Sequence, residues 1–544
     1  MQNVSILFIS FNSGWHEDVW NVLAIESLVG DLSGYYGDKV KIDTIRIRDF
    51  DSLEETFSII KKKKYQLVGL SLDIGSQLFF LPFLQGFIRY KLNNLLVCGG
   101  TLVTYANDFL LERKEIQMLR PILIMGEGEI AWREIVDRYI TGKDYFNIDN
   151  TWVYCPNRQI YVQAENKVVD LNKLIYAPAH INYFGEYHPV HILQASRNCI
   201  SHCSYCSQGP NRIWRSFKLE RIETNLRDLI NLGIYEFEFV DDEFFGGMTK
   251  LYLDRAWEIA RIFQKLEREF NVVLKFRVFT NPFIICSKFK DSFGRNIYDL
   301  LKFMKSVGLS RVYLGVESGS IEQRKRYARI ESLEQCEHAI QILDKIGIVV
   351  DAGFIMFDPE VTFDDLRDNI KFIKKNNFIK YNTWPLRPLI LTNNTPIYYR
   401  TKKLGLVKNR SNDNPASYTY DFLYKEVGIL YNAVSTVADQ TSKVFYILKY
   451  FYKSYCYSAE NIKLVSLVYD LLMENAKINL EYLDDMLIEY ENSAKIIYST
   501  EKVRKKLYKL ISQVEDICPQ IEKLNYSVSY LNKSIKESKK ILLD

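Results

Sequence analysis

Cys199, Cys203 and Cys206 lie in the stretch CISHCSYC, spaced C-x3-C-x2-C. They are three of nine cysteines; Cys98, Cys155, Cys286, Cys336, Cys456 and Cys518 are scattered and read as incidental thiols. In a reducing compartment, clustered thiols bind metal more often than they form disulfides. A structural zinc site would draw its fourth ligand from His202, His191 or His188. Such sites usually pair their knuckles, however, and no second C-x2-C or H-x3-H follows. Three thiolates alone suit an iron–sulfur cluster, since a missing fourth thiolate leaves one iron open to another ligand.

The elements that position these cysteines read as alternating strands and helices. From about residue 191 the strands are VHILQASRN, FEFEFVDD, VVLKFRVFTN, SRVYLGVES, VVDAGFIMF and YNTWPLRPL, with helical patterns such as LEQCEHAIQILDKIG between them. That predicts six β/α units, a partial barrel with its sites at the strand C-termini. The cysteines follow the first strand. Asp241, Asp242 and Glu243 end the second, Arg277 sits on the third with Asn281 just beyond, and Glu317 and Ser318 end the fourth. Taken alone, Asp241 and Asp242 serve equally well as surface charges or helix caps.

The cysteine spacing, with an aromatic Tyr205 before the third cysteine, resembles that of the radical S-adenosylmethionine (SAM) superfamily, and the resemblance extends over residues 190 to 400. It implies a [4Fe-4S] cluster on Cys199, Cys203 and Cys206, whose open iron is chelated by the amino and carboxylate groups of SAM. An electron from a flavodoxin- or ferredoxin-type donor would then break the S–C5′ bond and give a 5′-deoxyadenosyl radical. Tyr205 is implied near the adenine. Asp241, Asp242 and Glu243 stand where the family has a Gly-Gly-Glu element for the SAM amino group, although the glycines are absent. Arg277, Glu317 and Ser318 are implied as further SAM contacts. GFIMFDPEVT resembles a G-x-I-x-G-x-P-x-x-T segment lining the adenine site, with Phe357 in place of the glycine.

Residues 4 to 140 alternate short apolar strands with helices, the pattern of a doubly wound parallel sheet. The expected organisation is a Rossmann-like domain over 1–145, a linker over 146–189, the barrel over 190–400 and an all-helical domain over 401–544. LLVCGGTLV and ILIMGEGE resemble segments of the cobalamin-binding domains that precede many radical SAM barrels. That implies cobalamin contacts from Ser71, Ser76, Gly99, Gly100, Thr101, Gly126 and Glu127, at the strand C-termini where such folds bind ligands. The loop FNSGWHEDVW lacks the Asp-x-His-x-x-Gly that ligates cobalt in many such domains, so His16 reads as a packed or solvated residue.

Hydrophobic content of 47% and charged content of 25% suit a soluble globular protein, and 544 residues suggest two or three domains. A net charge of +4 gives no reason to expect nucleic acid or an anionic membrane as partner. MQNVSILFISFNSG reads as a first strand rather than a signal peptide, and the expected location is cytoplasmic. Beyond about residue 405 strand patterns vanish and amphipathic helices follow, expected either to cap a cavity and select the substrate or to form a docking surface for a carrier or peptide. The resemblance implies a cobalamin-dependent enzyme, a methyltransferase acting through methylcobalamin on a carbon of a small natural product or peptide. The alternatives are non-methylating radical SAM chemistry (cyclisation, ring contraction or oxidation) and, from a different class, a zinc-stabilised binding protein without catalysis.

Overall fold

The computed structural model describes residues 3–12, 22–175, 190–207, 213–247, 249–412, 414–455, 461–493, 500–524 and 528–543. His16 and His188 lie outside these residues.

The N-terminal apolar runs form β1 (Val4–Phe11), β2 (Val40–Ile47), β3 (Leu67–Ser71), β4 (Leu95–Gly99) and β5 (Ile122–Ile124), all mutually parallel. The strand order is β2-β1-β3-β4-β5, so the winding reverses direction at β1 and a crevice opens at the C-terminal ends of β1 and β3. The helices Leu23–Tyr36 and Glu129–Thr141 bury one face around Phe8 and Trp132. Phe50–Lys63 and Gln77–Arg89 bury the other around Phe57, Phe80 and Phe83. The sheet does not stop at residue 145. Within the expected linker, β6 (Thr151–Cys155) and β7 (Ile160–Gln163) form an antiparallel hairpin that pairs with β5. A short strand such as β5 otherwise leaves an open edge, and the hairpin covers it.

The second sheet starts with β8 (His191–Leu193). A two-residue pair, β9 (Ser196–Arg197) and β10 (Arg215–Ser216), then closes the base of the cysteine loop. β11 (Glu236–Phe239), β12 (Lys275–Thr280), β13 (Leu309–Glu317) and β14 (Val349–Phe354) complete a parallel sheet ordered β14-β13-β12-β11-β8. The sixth segment, YNTWPLRPL, runs beside β14, where the sequence puts it, through Ala352 N to Tyr381 O (2.8 Å), Met356 N to Arg387 O (2.8 Å) and an isolated bridge between Phe357 and Pro388. It forms no continuous strand, because Pro385 and Pro388 supply no N–H to a ladder.

After the barrel, β15 (Leu391–Thr392), β16 (Val407–Arg410) and β17 (Ser417–Tyr420) form a small antiparallel sheet, so strands continue past residue 405. These strands are short, and two prolines and several asparagines interrupt the region, which hides their alternation. The helices Lys425–Tyr455, Ile462–Ser493, Glu501–Glu522 and Ser529–Leu543 follow. Their apolar faces join the barrel in one continuous core that includes Phe263, Leu314, Leu448 and Leu483. Among the described residues no helix is long and apolar enough to cross a membrane.

Candidate active site

The cysteine loop is anchored at both ends. At its base, Ala195 N (3.1 Å) and Ser196 Oγ donate to the Asp241 carboxylate, which is 1% exposed. Burial raises that carboxyl to about 7, against these hydrogen bonds. Asp241 therefore braces the start of the loop. At the far end, Ser204 N donates to Tyr327 O (3.0 Å), Ser204 Oγ to Arg326 O (2.7 Å) and Ile397 N to Ser204 O (3.0 Å). No disulfide joins Cys199, Cys203 and Cys206. Burial pushes Cys199 up to about 11, so a metal must displace its proton. Among the described residues no three His, Cys, Asp or Glu side chains are gathered into a ready single-ion site. A cluster, whose thiolates stand on separate irons, holds its sulfurs farther apart than one ion does, and it needs only these three. Three thiolates are the donor set of a cluster with one iron left open.

Tyr205 turns from this loop towards β13. Glu317 ends β13 with a left-handed backbone (φ 70°), at an irregularity in the pairing with β14. Burial raises the Glu317 carboxyl, and the phenol of Tyr205 hydrogen-bonds to it. Burial and then the Glu317 charge raise the Tyr205 phenol well above its ordinary range, so it stays protonated. Arg329, which sequence reasoning missed, converges on the same point. Its side chain, 3% exposed, donates to Cys203 Sγ (3.2 Å), Asn281 Oδ1 (3.1 Å) and Gly315 O (2.6 Å), with Tyr205 OH at 3.4 Å. Nothing in the spacing of RYARIES signals this; the short helix Ile321–Arg326 carries the chain back over the cysteines. Gly353 on β14 faces Glu317, and a Cβ there would lie 2.8 Å from Tyr313 Oη and 2.9 Å from Glu317 Oε1. Tyr205, Cys206, Tyr313, Glu317 and Gly353 line a cavity of about 600 Å³ that runs down into the barrel.

Four other residues expected at the SAM site are engaged elsewhere. Glu243 is fully buried, and its carboxylate accepts from Thr280 Oγ1 (2.8 Å), Asn281 N (3.1 Å), Asn281 Nδ2 (2.7 Å) and Phe245 N (3.2 Å). It ties the ends of β11 and β12 together and positions Asn281 for Arg329. Ser318 donates to Gln323 Oε1 (2.6 Å) and Asn369 Oδ1 (2.9 Å) in a buried network behind β13. Phe357 is 1% exposed and packs edge-on against Tyr431, because the chain turns its side chain into the core after Ile355. Arg277 pairs with Glu238 (3.1 Å) and donates to Lys453 O (3.1 Å), deep inside the barrel.

A second cavity, of about 440 Å³, lies between the N-terminal sheet and the barrel. Ser71, Gly99, Gly100, Gly126 and Glu127 line it from the sheet, and Arg197, Asn198 and Asp242 from the barrel. Asp242 thus faces this cavity and not the first. Gly100 adopts φ +102° with a would-be Cβ 2.7 Å from Leu72 O, a position only glycine fills. At Gly126 a Cβ would meet nothing within 4 Å, and at Gly99 nothing closer than 3.8 Å, so both present bare backbone to open space. Glu129 Oε2, also at this cavity, is buried with no hydrogen-bond partner. The expected pattern does not hold for two polar residues: Ser76 Oγ donates to Asp73 O (2.6 Å) and Thr101 Oγ1 accepts from Ile74 N (3.2 Å), so both latch the loop after β3. Glu127 lines the cavity but also bonds Arg215 (2.7 Å), Arg197 (3.3 Å) and Val169 N (2.9 Å). Tyr105, a second residue that sequence reasoning missed, follows Gly99 and Gly100 by one short helix; burial raises its phenol, with Asp242 and Cys206 adding to the shift and Ser207 bonding to it.

Residues 193–373 match the family model of the Radical SAM superfamily. The 4'-phospho-dehydrooxetanocin synthase of Priestia megaterium is 22% identical over 378 residues, 64% of this chain and 48% of that protein. The chain therefore spans about half the length of that relative. An uncharacterised methyltransferase of Pyrococcus horikoshii is 25% identical over 370 residues, 65% of this chain and 75% of that protein. Among solved structures, the cobalamin-dependent SAM radical enzyme OxsB with aqua-cobalamin bound superposes with a TM-score of 0.76 at 17% identity, covering 99% of this chain and 84% of that one.

Proposed function

We propose that the chain, whose residues 193–373 match the Radical SAM superfamily model, is a cobalamin-dependent radical SAM enzyme that methylates a carbon of a small molecule or peptide. One observation carries this reading. The cysteine loop walls both cavities: Asn198 lines the one against the N-terminal sheet, and Tyr205, Cys206 and Ser207 line the one in the barrel.

Cys199, Cys203 and Cys206 would hold a [4Fe-4S] cluster. Glu317 with Tyr205 supplies acceptors and an aromatic face for the ribose and adenine of SAM, and Arg329, ion-paired with the buried Glu331 (2.5 Å), buttresses Cys203 behind them. Gly99, Gly100 and Gly126 would offer a cobalamin bare backbone at the edge of the second cavity. When bound, the cluster supplies the electron that cleaves SAM, and the cobalamin supplies a methyl carrier. The protein's part is to keep water from the barrel cavity, hold Tyr205 protonated and fix the two cavities against one another.

A second reading is radical SAM chemistry without methyl transfer, since the matched relative in Priestia megaterium carries a synthase name and the one in Pyrococcus horikoshii a methyltransferase name. Anaerobic incubation with SAM, a flavodoxin- or ferredoxin-type donor and candidate substrates separates the two by mass spectrometry. Methyl transfer yields S-adenosylhomocysteine together with 5′-deoxyadenosine and a product heavier by one methylene. 5′-Deoxyadenosine alone favours the second reading, and neither nucleoside product contradicts both.

A further inference from the structure

Arg329 hydrogen-bonds a sulfur of the cysteine loop, from Nη1 to Cys203 Sγ at 3.2 Å. Its other N–H groups fix it there. Nη2 donates to Asn281 Oδ1, just beyond β12 (3.1 Å), and to Gly315 O on β13 (2.6 Å), and Nε donates to the Glu331 carboxylate (2.5 Å). Asn281 is held in its turn, because its Nδ2 donates to Glu243 (2.7 Å). Glu331 is buried and shared with a second guanidinium, Arg324, at 2.8 Å. Arg324 is tied to β13 and its end through Val316 O (2.7 Å) and Ser318 O (3.1 Å). The Arg329 guanidinium therefore cannot move towards or away from the sulfur without breaking bonds to several separate anchors.

Glu317 lies close by as well: a Cβ on Gly315 would stand 3.1 Å from Glu317 Oε1 and 3.5 Å from Arg329 Nη2. Two guanidiniums thus meet two carboxyl groups, and proximity decides what the sulfur feels. The group in hydrogen-bond contact with it is the cation. Hydrogen bonds to the sulfurs and local charge are what set the potential of an iron–sulfur cluster. A cationic N–H donor stabilises the more negative, reduced cluster more than the oxidised one, and a buried site enlarges the difference. We propose that Arg329 is a positioning residue that acts through Cys203 to raise the reduction potential of the cluster, with Glu331 moderating its charge. The step it favours is a one-electron transfer: a flavodoxin- or ferredoxin-type donor is oxidised and the cluster is reduced. Arg329 and Glu331 themselves exchange neither electron nor proton. This inference rests on the cluster reading of Cys199, Cys203 and Cys206.

The test is a redox titration of the full-length, anaerobically reconstituted protein without SAM, followed by electron paramagnetic resonance, with iron content measured on every sample. Arg329→Gln should disfavour reduction about tenfold or more, a fall of ~59 mV in midpoint potential for each tenfold. It strands no buried carboxylate, because Glu331 keeps Arg324. Glu331→Gln should move the potential the other way, since Asn281 and Gly315 still hold the guanidinium and its counter-charge is gone. Arg329→Lys, which keeps the charge and loses the fork, should fall between wild type and Arg329→Gln. A role confined to packing the loop would give no opposed shifts. Potentials equal to wild type at full iron content, or both variants shifted in the same direction, overturn the proposal. Should Arg329→Gln fail to hold iron, Glu331→Gln decides alone: a raised potential supports the proposal, and an unchanged or lowered one overturns it. A wild type that holds no cluster overturns the cluster reading and this inference together, whereas unmoved potentials on an intact cluster sink this inference alone.

Discussion

Gly353 and Glu317 face each other across β13 and β14 with no room between them for a side chain. Gly353→Val would press a branched side chain into the space bounded by Tyr313 and Glu317. The expected result is a SAM affinity weakened at least about tenfold with iron content unchanged, read by equilibrium binding and metal analysis. Unaltered SAM affinity would move the nucleoside site elsewhere. Glu129 makes a separate prediction. Burial pushes its carboxyl up, but the Arg197 guanidinium at 2.6 Å and the Ser27 hydroxyl hold it at about 2, below its ordinary 4.5. A lowered carboxyl favours the folded state fully above the unfolded value and loses that contribution as pH falls towards the folded one. The stability gap between wild type and Glu129→Gln should therefore be greatest above pH 4.5 and shrink between 4.5 and about 2, as followed by denaturant midpoints at each pH. A gap independent of pH across that window would show that the pair contributes nothing electrostatic.

At the scale of elements, the turn from β4 into its helix decides whether the N-terminal sheet holds a corrinoid. Gly100 is unsuitable for the test because its backbone and its contact with Leu72 demand glycine for folding. Gly99 has room for a side chain, and Gly99→Leu would fill the cavity side of the turn without disturbing the sheet. Retained corrin absorbance after desalting should vanish while the iron content stays; retention equal to wild type would place the corrinoid at another edge. The order of elements was largely legible in the sequence, because buried parallel strands leave unmistakable apolar runs and five of the six barrel segments carry one. The hairpin β6–β7 and the strands β16 and β17 were not, since strands of four or five residues carry too few positions for an alternation to stand out. At the site, the cysteines and the glycine turns could be read locally. Arg329 and Tyr105 could not, because only the fold brings them to Cys203 and Ser207. Asp241, Glu243 and Ser318 show the opposite case: carboxylates and hydroxyls at strand ends also serve to bind the strands to one another, and their partners (Ser196, Asn281, Asn369) are invisible to motif reasoning.

For the whole molecule, the distance between the two cavities is set by charge across the domain boundary. Glu127 and Glu129 from the N-terminal sheet grip Arg197 and Arg215 from the base of the cysteine loop, and Arg410 in the small sheet reaches back to Asp108. Arg197→Met would leave Glu129 buried without its cation and should cost about 3–5 kcal/mol in stability, read by chemical denaturation. It should also uncouple SAM cleavage from product formation, because the cysteine loop would no longer be fixed against the sheet. The central claim is that Cys199, Cys203 and Cys206 hold a cluster with one iron open to SAM. Electron paramagnetic resonance of the reduced, anaerobically reconstituted protein, with and without SAM, tests it most directly. The account predicts a cluster signal that SAM alters in wild type and that is missing from the triple alanine variant of the three cysteines. A signal indifferent to SAM, or one that survives in the triple variant, would contradict it.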